Sequence, residues 1–212
     1  MSKSAYEITR LAFADIVRYR QILDEISAER KYRRMSYEPA RRAIVEYHQS
    51  DGDTTILEDA ILAQQQAERE AEPSEDTIQP RNNAEVLEGY LSYFASPFRA
   101  VAVSIPDEFE SYKYTVHGLT ITAKPHLAVR NGRGNIKYLY LLTSKDWDEQ
   151  QKGFFLSLLS EIIVSNITGT QPRDIEGLDC RSGNKIIRLG LGRNFRQRVE
   201  FIAEDLVQRG LA

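Results

Sequence analysis

One apolar run constrains the fold of this chain more than any other feature. The segment NIKYLYLLT, residues 135–143, is almost continuously apolar over the length of one strand, which is typical of a strand buried on both faces of a sheet. An amphipathic helix follows it, and a further strand, KIIRLGLG at residues 185–192, comes later. A strand, a crossover helix and another strand imply at least one parallel strand pair. The sequence therefore predicts an α/β fold.

The segments around this run complete the predicted sheet. FRAVAVSI at residues 98–105 and YKYTVHGLTITAKPHLAV at residues 112–129 are β-like, and NGRG at residues 131–134 is a hairpin turn signal. The stretch GTQPRDIEGLD, residues 169–179, has the composition of a loop, and a last helix begins near residue 195. The prediction is a small mixed sheet in the order β-β-β-α-β-α.

The first hundred residues have the apolar spacing of helices, interrupted by turn and linker signals. Two prolines, several charges and few apolar residues lie between residues 72 and 82, which favours a mobile segment there. We therefore predict a helical N-terminal region at 1–71, a flexible linker or loop at 72–82 and an α/β core at 83–212.

The composition excludes several classes of protein. One cysteine, Cys180, cannot form an internal disulfide, and the start of the chain lacks the apolar core of a signal peptide. No window approaches the roughly 18 apolar residues of a membrane span. The three histidines are scattered and give no zinc spacing. The sequence predicts a cytoplasmic protein without a membrane partner, a cofactor or a metal.

Charge is distributed unevenly along the chain. Between residues 18 and 42, eight bases oppose four acids, and between 54 and 88, nine acids oppose two arginines. Between 181 and 198 there are six bases and no acid. Such alternation is typical of faces that bind polyanions or of faces that dock on each other, and it is also found on solvated helices. Because such faces can also dock between copies of the chain, a homo-oligomer is a further expectation.

Two short motifs carry a resemblance to a known superfamily. PHL at residues 125–127 precedes the hairpin turn, and TSK at residues 143–145 closes the apolar run. Together with the order of elements over residues 83 to 190, they resemble the restriction-endonuclease-like superfamily, the PD-(D/E)xK nucleases. The resemblance implies a core of a helix, a three-stranded meander, a crossover helix and a fourth strand. It also implies a site in which two acids hold Mg²⁺ and a lysine orients the attacking water.

The chain departs from that pattern at both acids. Pro125 and Lys145 match the motif, but His126 and Thr143 occupy the acidic positions. Because Mg²⁺ prefers hard, charged oxygen ligands, hydrolysis that depends on this metal loses its Lewis acid and its activated water at these positions. A single histidine without nearby acids or cysteines is not a metal site. The resemblance therefore implies a degenerate nuclease core with no catalytic residues.

Three hypotheses about function remain. The first is a non-catalytic binding protein that acts on nucleic acid or on a partner protein of a nucleic-acid or defence system. The second is an active Mg-dependent nuclease whose acids are relocated, and the third is an interaction or assembly subunit with no nucleic-acid role. The candidate relocated acids are Glu85, Glu88, Asp107 and Glu108.

The basic C-terminal segment is the predicted binding surface. Bases at the start of a helix oppose the macrodipole, so stability alone does not explain them, whereas a bound anion would. The alternative is that these bases pair with the acidic 54–88 segment of the same molecule. The candidate binding residues are Arg188, Arg193, Arg196, Arg198 and Lys145.

Overall fold

The computed structural model describes residues 2–27, 37–71, 78–95, 102–105, 111–130, 134–142, 147–181, 185–187 and 194–212. Within these ranges the chain forms seven α-helices and two mixed sheets. The helices are α1 (Ala5–Ala12), α2 (Ile16–Ser27), α3 (Glu38–Gln49), α4 (Thr54–Glu70), α5 (Ile78–Tyr93), α6 (Glu149–Asn166) and α7 (Phe195–Gln208). The strands are β1 (Ser2–Ser4), β2 (Ala102–Ser104), β3 (Tyr112–Val116), β4 (Leu119–Ala123), β5 (Leu127–Arg130), β6 (Ile136–Leu142), β7 (Ile175–Asp179) and β8 (Lys185–Ile187).

The larger sheet has five strands in the order β2-β5-β6-β7-β8. Strands β6 and β7 are parallel, and the other neighbours are antiparallel. Helix α6 connects β6 to β7, as the sequence predicts for a crossover. Strand β6 is central, and its alternate residues belong to two different apolar clusters, Leu139 and Leu141 to one and Tyr140 and Leu142 to the other. The α/β class and the doubly buried strand are confirmed.

The parallel partner of β6 lies where the sequence predicts a loop. Residues Ile175–Asp179 form β7, and all five are buried. The strand KII, residues 185–187, pairs with β7 in the antiparallel direction instead. The prediction was wrong because β7 contains Glu176, Gly177 and Asp179, residue types that are depleted in strands. Gly177 is required by packing, since a Cβ there would lie 2.7 Å from the side chain of Leu142.

The smaller sheet has three strands in the order β1-β4-β3. Strands β3 and β4 form a hairpin whose two turn residues, His117 (φ 47°) and Gly118 (φ 84°), have the left-handed backbone of a tight hairpin turn. Strand β1 pairs with β4 in parallel, although the sequence predicts only helix near the N-terminus. A three-residue strand carries no periodic signal, and its partner is more than a hundred residues away, so a sequence pattern cannot reveal it.

The helices cover both faces of the larger sheet. On one face, α3, α4 and α5 pack against residues such as Val103, Leu127 and Leu178. On the other face, α6 packs with α1, α2, α7 and the smaller sheet. The predicted helical N-terminal region is thus divided between the two faces of the core.

The predicted linker is too long at its C-terminal end. Helix α5 begins at Ile78, so residues 78–82 are helical, whereas residues 72–77 lie outside the described part of the chain. Asn82 and Asn83 are buried, and the Asn83 Oδ1 atom accepts a hydrogen bond of 3.2 Å from the backbone N–H of Ala40. Asn82, the last residue of the predicted linker, is therefore buried, and the next residue, the first of the predicted core, contacts α3. In the described residues, none of the helices combines the length and the apolar character that crossing a membrane requires.

Candidate functional site

The site implied by the resemblance lies where β5 begins and β6 ends. The backbone N–H of His126 donates to the carbonyl of Leu139 at 3.0 Å, and the imidazole Nδ1 accepts from the N–H of Leu141 at 3.0 Å. The side chain thus supplies an acceptor to β6 just outside β5. Thr143 and Lys145, which follow β6, lie outside the described residues.

The imidazole of His126 is neutral at neutral pH. Burial lowers its pKa to about 4, and the positive charge of Arg41 acts in the same direction. Because Nδ1 accepts a hydrogen bond, the ring proton of the neutral form is on Nε2. Neither nitrogen then offers a free lone pair, so His126 does not fit the role of a metal ligand in this arrangement.

Two of the candidate relocated acids, Glu85 and Glu88, lie in the described residues, and both have side-chain partners. The Arg181 Nε atom donates to Glu85 Oε2 at 2.7 Å, and Glu85 also lies 3.5 Å from the guanidinium of Arg81. Glu88 accepts from Gln65 Nε2 at 3.0 Å. Asp107 and Glu108 lie outside the described residues. No group of three or more histidine, cysteine, aspartate or glutamate side chains that could hold a metal occurs in the described ranges.

A buried ion pair that was not among the predicted site residues lies at the carboxyl end of β7. The Lys152 Nζ atom is 2.7 Å from Asp179 Oδ2, and the two side chains are 4% and 1% exposed. Asp179 is the register partner of Leu142, the last residue of β6. The one signal in the sequence was the position of Lys152, four residues before the buried Leu156 on the same face of its helix.

The basic segment is only partly described. Arg188 and Arg193 lie outside the described residues, and α7 brings Arg196 and Arg198 to the surface. Arg196 forms an ion pair with Glu161 on α6 at 2.9 Å. The Arg198 guanidinium carbon lies 5.0 Å from the ring centroid of Phe13. Among the described residues, Arg196 thus pairs with an acid outside the 54–88 segment and Arg198 has no acidic partner. Because residues 72–77 of the acidic segment lie outside the described part of the chain, the intramolecular pairing stays a prediction.

Cys180 is buried at the end of β7. Burial raises the pKa of its thiol, and the neighbouring Asp179 raises it further. A thiol in this environment stays protonated and unreactive.

A series of aromatic contacts runs from the degenerate motif to the surface. The ring of His126 is 5.5 Å from Tyr140, which contacts Phe155 at 6.2 Å. Phe155 contacts Trp147 at 5.2 Å, and Trp147 stacks on Tyr6 at 5.0 Å with an interplanar angle of 20°. The region where the resemblance places metal chemistry is thus packed with rings.

Comparisons with known proteins identified no relative of this chain. The chain has no significant match to a protein-family model, to a curated protein or to a solved structure.

Proposed function

We propose that this chain is a non-catalytic binding protein with a degenerate nuclease-like core, acting on a nucleic acid or on a partner protein of a nucleic-acid or defence system. The observation that carries the proposal is the hydrogen bond from Leu141 to His126. Because of this bond, His126, the residue at the first acidic position of the motif, is part of the hydrogen bonding of the sheet. Burial lowers its pKa, so it is uncharged at neutral pH. A site for Mg²⁺ chemistry needs the opposite, a charged and accessible oxygen ligand.

The order of elements supports the nuclease-like part of the proposal. Helix α5, strands β2, β5 and β6, crossover helix α6 and strand β7 follow one another in the order that the resemblance implies. Strands β2, β5, β6 and β7 are also neighbours in that order within the sheet. The β3–β4 hairpin is an insertion between the first and second of these strands.

The alternative of an active nuclease with relocated acids has less support. Glu85 is on α5, the helix that precedes the meander, but its carboxylate is held by Arg181. Asp179 is at the end of the fourth strand, but it is buried against Lys152. An acid that is already paired with a base offers little of its charge to a metal ion.

The alternative of an assembly subunit draws support from the surface. Several large apolar side chains are exposed, among them Ile16, Leu62 and Phe201. Exposed apolar side chains of this size support protein contacts where they form part of a larger apolar surface. This hypothesis differs from the first in predicting no affinity for nucleic acid.

Two measurements on the full chain separate the three hypotheses. The first is cleavage of labelled single- and double-stranded DNA and RNA with Mg²⁺ or Mn²⁺, where the proposal expects none. Cleavage that is lost in Glu85→Gln would establish the nuclease alternative. The second is fluorescence anisotropy with the same nucleic acids at two salt concentrations.

The salt dependence identifies the ligand class. If about four phosphate contacts form, affinity should fall about a hundredfold between 50 and 200 mM salt. A folded chain that binds no nucleic acid at low salt would leave a protein as the partner. Arg198→Ala and Arg196→Ala form a matched pair, because Arg196 is held by Glu161 whereas the Arg198 guanidinium lies over a ring and has no ion pair among the described residues.

A further inference from the structure

Helix α4 presents an acidic surface with an apolar centre. Leu62 is 62% exposed, and it lies one turn after Glu58 and Asp59, so the three side chains share a face. Within the part of the chain that the structure describes, neither Glu58 nor Asp59 has an ion pair or a side-chain hydrogen bond. This surface, Glu58, Asp59 and Leu62, is called the acidic ridge below.

A groove of about 400 Å³ lies between the end of α1, the start of α2 and helix α7. Its walls are largely apolar and include Leu11, Ala14 and Phe201. Phe201 is 65% exposed. Ile16, one helical turn before the lining residue Tyr19, is 76% exposed.

The groove has one charged lining residue among the described residues, and that residue is a base. It is Arg198, whose guanidinium lies over the ring of Phe13. No described carboxylate pairs with it. Arg196, two positions earlier, is by contrast paired with Glu161. The groove therefore combines an apolar wall with a positive charge that has no acidic partner among the described residues.

The groove and the acidic ridge lie on opposite sides of the molecule. Helix α4 packs in the apolar cluster on one face of the larger sheet, and α7 packs in the cluster on the other face. Because the sheet lies between them, the ridge of one chain cannot reach its own groove. A contact between these two complementary surfaces requires two molecules.

We propose that the acidic ridge of one copy of this chain docks in the groove of a second copy. Leu62 packs against Phe201 and the rim, and the carboxylates of Glu58 and Asp59 face Arg198. The contact is a helix in a groove, with an apolar anchor and flanking charges. Because the two surfaces differ, the contact is heterologous, and its repetition gives a ring or an open chain. The inference does not depend on whether the core has nuclease chemistry.

The experiment uses one variant for each surface. Leu62→Asp disables the ridge and keeps the groove, whereas Phe201→Asp disables the groove and keeps the ridge. Both side chains are exposed, so both variants should fold, which circular dichroism and thermal melting check. Light scattering after size exclusion and sedimentation velocity then give the mass over a range of concentrations.

The wild-type chain should associate further as its concentration rises, and each variant should stay monomeric. An equimolar mixture of the two variants should give a dimer and nothing larger, because one intact ridge meets one intact groove. Arg198→Glu should weaken association at least tenfold, and Arg196→Glu should not. Tyr93→Asp, which removes an apolar side chain that is 52% exposed on α5, is the control for a nonspecific effect.

Three results would overturn the inference. The first is a wild-type chain that stays monomeric up to about 1 mM, which would leave the groove to a different partner. The second is association of either variant at wild-type strength. The third is a mixture that stays monomeric although both variants are folded, because a contact between unlike surfaces must be restored in that mixture.

Discussion

The imidazole of His126 completes the edge of strand β6 through its contact with Leu141. The Nδ1 atom accepts a hydrogen bond of 3.0 Å from the backbone N–H of Leu141, and His126 is the residue immediately before β5. Pairing with β5 extends only to Leu139, the register partner of Leu127. The histidine side chain therefore satisfies a backbone donor that the neighbouring strand does not reach.

Replacing this acceptor should destabilise the protein in a graded way. His126→Ala leaves the Leu141 N–H without its acceptor and should reduce the free energy of unfolding by about 1–3 kcal/mol. His126→Asn should lose less, because an amide oxygen can occupy the position of Nδ1. Urea unfolding at pH 7 measures both. Equal losses in the two variants would show that the hydrogen bond is not the reason.

The stability of the protein should fall between pH 6.5 and pH 4. Burial lowers the pKa of both His126 and His48 to about 4, whereas an unfolded histidine has a pKa near 6.5. In this window the unfolded state binds more protons than the folded state, so stability rises with pH. The contribution is complete above about pH 6.5 and is lost as the pH falls towards 4.

The slope of unfolding free energy against pH measures this effect. Near pH 5, His126→Asn should reduce the proton uptake on unfolding by about one proton. His48→Asn should act in the same direction, and the double variant should show the sum. If the slope of His126→Asn equals that of the wild type, the folded protein does not hold the histidine in its neutral form.

The hydroxyl of Tyr140 should be dispensable. It is buried and has no hydrogen-bond partner among the described residues, so Tyr140→Phe removes a polar group from an apolar site and should stabilise the protein by about 1 kcal/mol. Tyr19→Phe is the matched control, because its hydroxyl donates to Asp205 Oδ2 at 2.8 Å. Thermal melting should move up for the first variant and down for the second.

The parts of the fold that could be predicted are those with dense local signals. Strand β6 is apolar at nearly every position, and α6 carries apolar residues on successive turns, so the hydrophobic pattern of the sequence is enough to identify both. Strand β7 could not be found in this way. Its acidic residues are compensated by bases distant in sequence, Glu176 by Lys137 at 2.6 Å and Asp179 by Lys152 at 2.7 Å.

The same reason limits the prediction of the site. The sequence shows that His126 and Thr143 are not acids, but it does not show what His126 does instead, because that depends on a backbone group fifteen residues away. Likewise, the composition of the sequence reveals the basic segment. Its contacts with Glu161 and Phe13, however, arise from the packing of α7 on α6 and on the end of α1.

Helix α5 should not tolerate a methyl group at Gly89. A Cβ at this position would lie 2.0 Å from the carbonyl oxygen of Cys180, so the helix would have to move away from the end of β7. Gly89→Ala should therefore reduce the free energy of unfolding by about 1–3 kcal/mol or more. Gly153→Ala on α6 is the control, because a Cβ there meets nothing within 4 Å, and it should stabilise its helix by up to about 1 kcal/mol. Similar effects of the two substitutions in chemical denaturation would contradict the close approach of α5 to β7.

In the buried ion pair between Lys152 and Asp179, removing one charge should cost more stability than removing both. Both side chains are almost fully buried, and their charged atoms are 2.7 Å apart. Lys152→Met removes the ammonium that compensates the Asp179 carboxylate, and such a loss costs about 3–5 kcal/mol. Replacing both residues with neutral side chains of similar size, as in Lys152→Met with Asp179→Asn, removes the charge as well as its counter-charge. The double variant should therefore be more stable than Lys152→Met alone.

An exposed pair supplies the control for this prediction. Arg209 lies 2.8 Å from Asp205 on α7, but its side chain is 51% exposed, so Arg209→Met should cost much less stability than Lys152→Met. Urea unfolding of the four chains, wild type included, gives the comparison. If Lys152→Met costs no more than Arg209→Met, the buried pair does not fix α6 on the end of β7. If the double variant is as unstable as the single one, the loss arises from packing rather than from an uncompensated charge.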